Sequence, residues 1–437
     1  MTSKPYSVVS LFCGLGGLDL GFVEQGFDLV WANDISENAV KSYRLNFGRA
    51  AACADITRLP VSEIPDADVV IGGPPCQSFS LIGRRDPDDP NGKLVFKFLD
   101  VVSSKRPLAF AMENVPGMAA SRINGVRLPD MLALAFKDLG YEVVKLHITA
   151  TDYLVPQVRK RLLLLGCIGR VPELVKPGVF ARECLGIENP HRFEITAKAA
   201  IGDLGACTPK GQRARYSSQE PSAFARLMRS AGLPDYSLHE QPRMSKTDRT
   251  IVAYLPPGGN YTDIPDDVAP GRVLKYKQTG GRTTTYGRLH PDRSAYTINT
   301  YFRRPNVGCN FHYSEPRLIT AREAMRFQSI PDHFEIAFNS QDERNALIGN
   351  AVPPLLARAI AFSLERALDS AESGESRCSL PIQLSLITSP VKPGVSPGNE
   401  MFSTVQKESG EASRGEGEAE LKKAAMNRRR ARNAARA

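Results

Sequence analysis

Up to about residue 168 this chain alternates short apolar runs with amphipathic stretches, and that alternation restricts the architectures open to it. Ser7 to Phe12, Asp28 to Ala32, Val69 to Ile71, Leu108 to Met112, Glu142 to Ile148 and Leu162 to Ile168 are rich in Val, Ile and Leu and read as buried strands. Between them, Leu18 to Gln25, Glu37 to Asn46, Leu94 to Ser103 and Pro129 to Leu139 carry helical patterns. Strands separated by helices do not pair as hairpins. They build an open, mostly parallel sheet with helices on both faces, and such sheets hold ligands at the carboxyl ends of their strands. The predicted class is α/β with a Rossmann-like cofactor domain.

From about Pro172 to Arg288 the rhythm fails, with turn clusters such as Pro256-Pro257-Gly258-Gly259-Asn260 and Thr279-Gly280-Gly281-Arg282. Residues 201–300 hold 14 Lys and Arg against 9 Asp and Glu. A solvated insert and a surface for a polyanion both fit that excess. Helical pattern returns at Thr320-Ala321-Arg322-Glu323, which has capping-box spacing, and again from Pro354 to Ala371, as if the chain re-enters its first domain. Beyond about Ser370 the composition turns to Ser, Gly, Glu and Pro, and the last 17 residues contain no acid. Such a segment buries too little apolar area to offset its chain entropy, so disorder is expected there. The expected division is 1–170 for the catalytic and cofactor domain, 171–287 for the irregular insert, 288–370 for the return, and 371–437 for a tail with a basic end.

The 437 residues exceed what one core usually organises, and 42% apolar with 24% charged residues describes a globular protein. A formal charge of +9 is compatible with a polyanionic partner and with plain solubility. Eight cysteines, Cys13, Cys53, Cys76, Cys167, Cys184, Cys207, Cys309 and Cys378, lack C-x-x-C spacing, so free thiols are expected and no metal site. No signal-peptide core and no run approaching eighteen consecutive apolar residues is found, which sets the expectation of a cytosolic protein with no membrane contact.

The first strand ends in Phe12-Cys13-Gly14-Leu15-Gly16-Gly17-Leu18-Asp19. Glycines there let a ligand approach the backbone closely. The spacing is not a dinucleotide fingerprint, because Asp19 stands where the third glycine belongs. Asp34, twenty residues after Gly14, follows the second strand, where a carboxylate can bind ribose hydroxyls, and Asp55 could meet an adenine amino group. A ribose acid beside a turn unsuited to pyrophosphate suggests a nucleoside-like cofactor such as S-adenosylmethionine. Phe12 fits either stacking on adenine or filling the core.

A thiol on a rigid proline turn, Gly72-Gly73-Pro74-Pro75-Cys76-Gln77, follows the strand at Val69 to Ile71, and Cys76 is a candidate nucleophile. Glu113-Asn114-Val115, Gln157-Val158-Arg159-Lys160-Arg161, Arg288 to Ile298 and Gly349-Asn350-Ala351-Val352-Pro353-Pro354 follow in turn. In this order the chain resembles the DNA cytosine-5 methyltransferases of bacterial restriction-modification type, over residues 7 to 369 apart from the insert.

The resemblance implies an S-adenosylmethionine-dependent methyltransferase fold with a smaller target-recognition domain. It implies that Cys76 attacks carbon 6 of a flipped cytosine, that Glu113 binds its N3 and N4 edge, and that Arg159 and Arg161 grip the target nucleotide. Phe12, Gly14, Gly16, Gly17, Asp34, Ile35, Asp55, Ile56, Pro74, Asn350 and Ala351 would line the cofactor site. Arg213, Arg215, Tyr216, Lys275, Tyr276, Lys277, Arg282 and Tyr286 are available in the insert for phosphates and base edges. Two departures stand out: Ser10 replaces an acid common among relatives, and Ile35 replaces a frequent aromatic residue. The implied partners are duplex DNA and a cognate restriction endonuclease, in a monomeric, nucleoid-associated protein of the bacterial cytosol. A tRNA cytosine-5 methyltransferase and a non-catalytic DNA-binding relative are the alternatives. The recognised DNA sequence is not encoded in any spacing.

Overall fold

The computed structural model describes residues 5–48, 51–75, 92–123, 125–229 and 233–372. Seven strands form one sheet: β1 (Ser7–Leu11), β2 (Asp28–Asp34), β3 (Ala52–Cys53), β4 (Val69–Gly72), β5 (Ala109–Asn114), β6 (Tyr141–Thr149) and β7 (Lys160–Ile168). Their order is β3-β2-β1-β4-β5-β7-β6. Neighbours run parallel except at β7, which is antiparallel to both β5 and β6. The apolar runs announce six of these strands. Two-residue β3 is too short to show a period.

Continuous apolar runs mean two covered faces, and the strands divide their side chains accordingly. Val8, Val69, Ile71, Ala111 and Leu163 enter the core on one face. Their neighbours Val9, Val70, Phe110, Met112 and Leu164 enter the core on the other. The first face is covered by α1 (Gly17–Glu24) through Leu18 and Phe22. The second is covered by α3 (Gly92–Lys105) through Phe98 and Val102, and by α4 (Leu128–Asp138) through Leu132 and Phe136. Between β2 and β3, α2 (Glu37–Phe47) starts on Ser36, whose hydroxyl accepts from Ala39 N at 3.3 Å, and stops at Gly48 with φ 63°. Gly166 of β7 lies opposite Phe110 of β5, and a Cβ there would fall 2.1 Å from the Phe110 ring.

In the irregular region, α5 (Lys246–Tyr254) and α6 (Gly271–Thr279) gather a small core of Ile251, Val252, Ile264 and Val273. It reaches past residue 287 to Phe311 and Leu318. Earlier residues of the insert, Phe224, Met228 and Tyr236 among them, belong to the same core as Val8. The capping box at Thr320 and Glu323 opens α7 (Ala321–Phe327) as the spacing predicts, and α8 (Gln341–Asn350) and α9 (Pro354–Glu372) follow. Pro353 and Pro354 interrupt helix hydrogen bonding between the last two. Helix α9 packs along α1 so closely that a Cβ on Gly21 would lie 2.5 Å from Ala357 Cβ. Gln341–Ser370 is long and apolar enough by composition to cross a membrane, and 78% of its apolar window is buried within the protein.

Candidate active site

The parallel strands bring the sequence-predicted residues to one edge of the sheet. β1 ends at the glycine turn, β2 at Asp34, β4 at Gly73-Pro74-Pro75, and β5 at Glu113-Asn114. Because β7 runs the other way, its beginning comes to that same edge, and Leu163 pairs with Glu113. Arg161, two residues earlier, is thereby delivered to the Glu113 carboxylate. A reversed strand does what a parallel one could not.

The glycine turn is held in left-handed backbone: φ is 56° at Phe12, 54° at Gly14 and 86° at Gly16. For Phe12 this is a strained conformation. The three glycines have different reasons to lack a side chain. A Cβ on Gly17 would sit 2.2 Å from the Val352 carbonyl oxygen, and one on Gly16 would sit 2.4 Å from the Phe47 ring. A Cβ on Gly14 would meet nothing within 4 Å, so this residue borders open space. Gly14 N donates to Asp34 Oδ2 at 2.9 Å, and Ser36 N donates to Asp34 Oδ1 at 2.8 Å. Burial raises the Asp34 pKa above its ordinary value, against the lowering effect of those two N–H groups.

The other residues expected to meet a cofactor are spread around this turn. Ile35 is 71% exposed, a large apolar side chain with little cover. Ile56 is buried, while the Asp55 carboxylate is held by Thr57 Oγ1 at 2.7 Å and Thr57 N at 3.0 Å. Asn350 is exposed at the end of α8, and the buried Ala351 follows it. Phe12 is partly buried against the core shared with Met112, so packing accounts for much of its ring.

Cys76 lies outside the described residues, but the turn leading to it does not. Asn114 Nδ2 donates to the Pro74 carbonyl at 3.1 Å, and Asn114 Oδ1 accepts from Val115 N at 2.8 Å. One side chain thus ties the end of β5 to the turn after β4. Sequence reasoning quoted Asn114 without giving it a task, although an amide beside a strand-end acid is a recognisable tether. Glu113 Oε1 is ion-paired with Arg161 Nε, and both side chains are almost entirely buried. Arg161 Nη1 also donates to the Lys160 carbonyl at 2.7 Å. Burial lowers the Arg161 pKa, and Glu113 opposes that shift.

Arg159 is committed elsewhere. Its guanidinium donates to the carbonyls of Ile298 at 3.1 Å, Gly349 at 2.9 Å and Ala351 at 3.1 Å. Of the expected grip on a nucleotide and on nearby carboxylates, the described residues include the carboxylate contact of Arg161. Arg161 serves the carboxylate, and Arg159 clasps the returning chain. Beside it, Gln157 Oε1 accepts from Ile298 N at 2.7 Å, and Gln157 Nε2 donates to Gln328 Oε1 at 3.0 Å. Gln328 in turn donates to the Ile348 carbonyl at 2.7 Å, so a buried amide chain joins four separate stretches.

Two buried arginines that motif spacing does not single out fix the insert against the return. On α7, Arg326 pairs with Asp332 and Asp203, and it donates to the Ala200 carbonyl at 2.9 Å. Arg322 donates to the carbonyls of Ser237, Pro331 and Phe334. Nearby, burial would raise the Glu323 pKa, but Arg317 at 2.7 Å overrides it and holds the carboxyl well below the usual carboxylate range.

The eight basic and aromatic residues singled out in the insert separate under the same inspection. Arg213 bridges Asp235 and Glu335, Lys277 pairs with Asp266, and Tyr216 donates to Asp332 at 2.8 Å beneath the Arg229 guanidinium. Tyr276 packs edge-on against Tyr261, and Tyr286 is buried. Arg215, Lys275 and Arg282 are exposed, with no ion pair to any described residue. No group of three or more His, Cys, Asp or Glu able to hold a metal occurs among the described residues.

A family model described as C-5 cytosine-specific DNA methylase matches residues 6–366. The type II methyltransferase M.NgoFVII of Neisseria gonorrhoeae is 32% identical over 356 residues, covering 81% of this chain and 84% of its own. M.XorII of Xanthomonas oryzae pv. oryzae, also named a type II methyltransferase, is 33% identical over 395 residues, covering 82% and 84%. Among solved structures, a prophage-encoded DNA modification methyltransferase (E. coli) superposes with a TM-score of 0.61 at 24% identity, over 83% of this chain and 99% of that one. At that identity the likeness speaks for the fold alone.

Proposed function

The chain belongs to the C-5 cytosine-specific DNA methylase family, and on that footing we propose how its residues divide the work of methylating carbon 5 of cytosine in DNA. S-adenosylmethionine, when bound, supplies the electrophilic methyl group. The site suits such a group: Gly14 borders open space, Ile35 is uncovered, and Asp34 stands at the end of β2. Phe12, Gly14, Asp34, Ile35, Asp55, Ile56, Pro74, Asn350 and Ala351 would surround it. Gly16 and Gly17 shape the turn from behind, by their tight approach to Phe47 and Val352.

Carbon 5 of cytosine is a weak nucleophile, so the reaction needs a group that pushes electrons into the ring. The Cys76 thiolate adds at carbon 6, forming a carbon–sulfur bond and giving carbon 5 enamine character. Carbon 5 then takes the methyl group. Loss of the carbon 5 proton and expulsion of Cys76 restore the aromatic ring. Glu113 binds the N3 and N4 edge and favours a protonated N3, which makes carbon 6 more receptive. Arg161 fixes the orientation of that carboxylate, and Asn114 fixes the turn that carries Cys76. The reacting carbon is inaccessible inside a duplex, so the cytosine is flipped out of the stack.

Residues 171–287 are assigned to target recognition, where the exposed Arg215, Lys275 and Arg282 meet DNA. The names of the relatives support a type II methyltransferase, and we extend this to a monomer that acts on duplex DNA in the bacterial cytosol and protects it from a cognate endonuclease. The observation that carries the reading is the Glu113–Arg161 pair beside the Asn114-tethered Pro74 turn. Transfer of labelled methyl groups from S-adenosylmethionine to duplex DNA tests it. Wild-type protein is expected to label DNA in preference to tRNA, and Cys76→Ala is expected to label neither. Full transfer by Cys76→Ala sinks the mechanism.

A further inference from the structure

Beneath the glycine turn lies a carboxylate that the mechanism above does not use. Asp19, in the first turn of α1, has no solvent exposure. Its Oδ1 accepts from the Tyr43 hydroxyl of α2 at 3.0 Å. Its Oδ2 is buried without a hydrogen-bond partner, and the equally buried Ser10 hydroxyl of β1 acts on the carboxylate without closing a bond of ordinary geometry. The other titratable groups within electrostatic reach are Asp34, which is acidic, and Cys13, whose thiol burial pushes well above its usual value and so keeps neutral. No Lys, Arg or His forms an ion pair with Asp19 among the described residues, and no cation is among the largest influences on it.

A buried carboxylate without a cation is unfavourable unless something positive arrives. The ligand of this turn is positive at sulfur before the reaction and neutral afterwards. We propose that Asp19 is the built-in counter-charge for the sulfonium, so that its carboxylate sets a preference for S-adenosylmethionine over the product S-adenosylhomocysteine. The inference rests on the reading of residues 12–17 as the cofactor turn.

Burial raises the Asp19 pKa to about 6, with Ser10 and Tyr43 opposing. The carboxylate is charged above that pH and neutral below it, so affinity for the cationic ligand rises as pH increases through this range. Affinity for the thioether does not follow. Asp34 also titrates with a raised pKa, but as a proposed ribose ligand it meets both molecules alike, and its effect cancels in their ratio.

Calorimetric titration of the full chain with each ligand between about pH 5 and pH 8 provides the test. The preference for S-adenosylmethionine is expected to grow by about tenfold across that interval, the order of one screened charge interaction. In Asp19→Asn the preference is expected to fall by a similar factor and to lose its pH dependence. The double variant Ser10→Asp with Asp19→Ser returns a carboxylate from the strand side and restores the preference. Tyr43→Phe keeps the acid but removes a bond that favours its charged form, so the midpoint moves to higher pH, and this variant serves if Asp19→Asn does not fold. A pH-independent ratio in the wild type, or an unchanged ratio in Asp19→Asn, overturns the counter-charge. Failure of both ligands to bind overturns the cofactor turn itself, and the counter-charge with it.

Discussion

Asn114 turns a strand end into an instrument of position. Its bond to the Pro74 carbonyl extends the pairing of β4 with β5 one step further, to the turn that precedes Cys76. Asn114→Ala is expected to cost about 1–2 kcal/mol of stability, the scale of one buried hydrogen bond with its partner left unsatisfied. The catalytic effect is expected to be larger than that. Single-turnover methyl transfer is expected to fall at least tenfold while the DNA concentration for half-saturation changes little, because the tether holds the turn before Cys76, the proposed nucleophile. An unchanged single-turnover rate would show the tether to be dispensable. Glu113 could be picked from sequence by its motif, whereas the Pro74 contact spans 40 positions and emerges only when β4 and β5 lie side by side.

At the scale of elements, the glycine turn between β1 and α1 separates two demands that look alike in sequence. Gly17 is pressed against Val352 and Gly14 faces open space, though both belong to one short motif. Gly17→Ala is expected to overpack the contact with the chain before α9 and to lower stability by about 1–3 kcal/mol, seen as a drop in Tm. Gly14→Ala has room for its Cβ and meets only the left-handed backbone penalty, roughly 1 kcal/mol. Its main expected effect is weaker S-adenosylmethionine binding at nearly constant Tm. Equal Tm losses in the two variants would refute this division. Glycine spacing predicted the turn but could not assign these roles, since Phe47 and Val352 are the neighbours that decide them. The same limit applies on α7, where the capping-box spacing predicts the helix but not the buried carbonyl and carboxylate partners of Arg322 and Arg326.

At the scale of the whole molecule, two sets of carboxylates among the described residues have opposite pH responses. Glu323 and Asp332 have folded-state pKa values held down by arginines, so they stabilise the fold above the ordinary carboxylate range and lose that effect as pH falls below it. Asp19 and Asp34 have raised values, so their relative stabilisation is greatest at low pH and fades as pH rises through the folded value, about 6 for Asp19. Tm without cofactor is therefore expected to rise from pH 7.5 to about 5.5 and to fall below about pH 4. The Asp19 contribution to that rise is about 1 kcal/mol, and Asp19→Asn is expected to flatten it. A Tm that declines steadily from pH 7.5 downward would contradict this balance. The alternation of strands and helices made the sheet legible from the sequence. The sharing of one core between the insert and β1 was not legible, because an irregular segment has no period to read.

The contact of α9 with α1 also bears on the order in which the protein is made. A ribosome completes the glycine turn early, yet its backing at Val352 and the helix that packs on Gly21 emerge more than 300 residues later. At ordinary elongation speeds that delay is on the order of tens of seconds. During that interval the nascent sheet has strands and the beginning of a cofactor turn, but lacks the wall that shapes it. Incomplete chains are therefore expected not to transfer methyl groups, and a chain cut short before the last helix is expected to be unable to modify DNA.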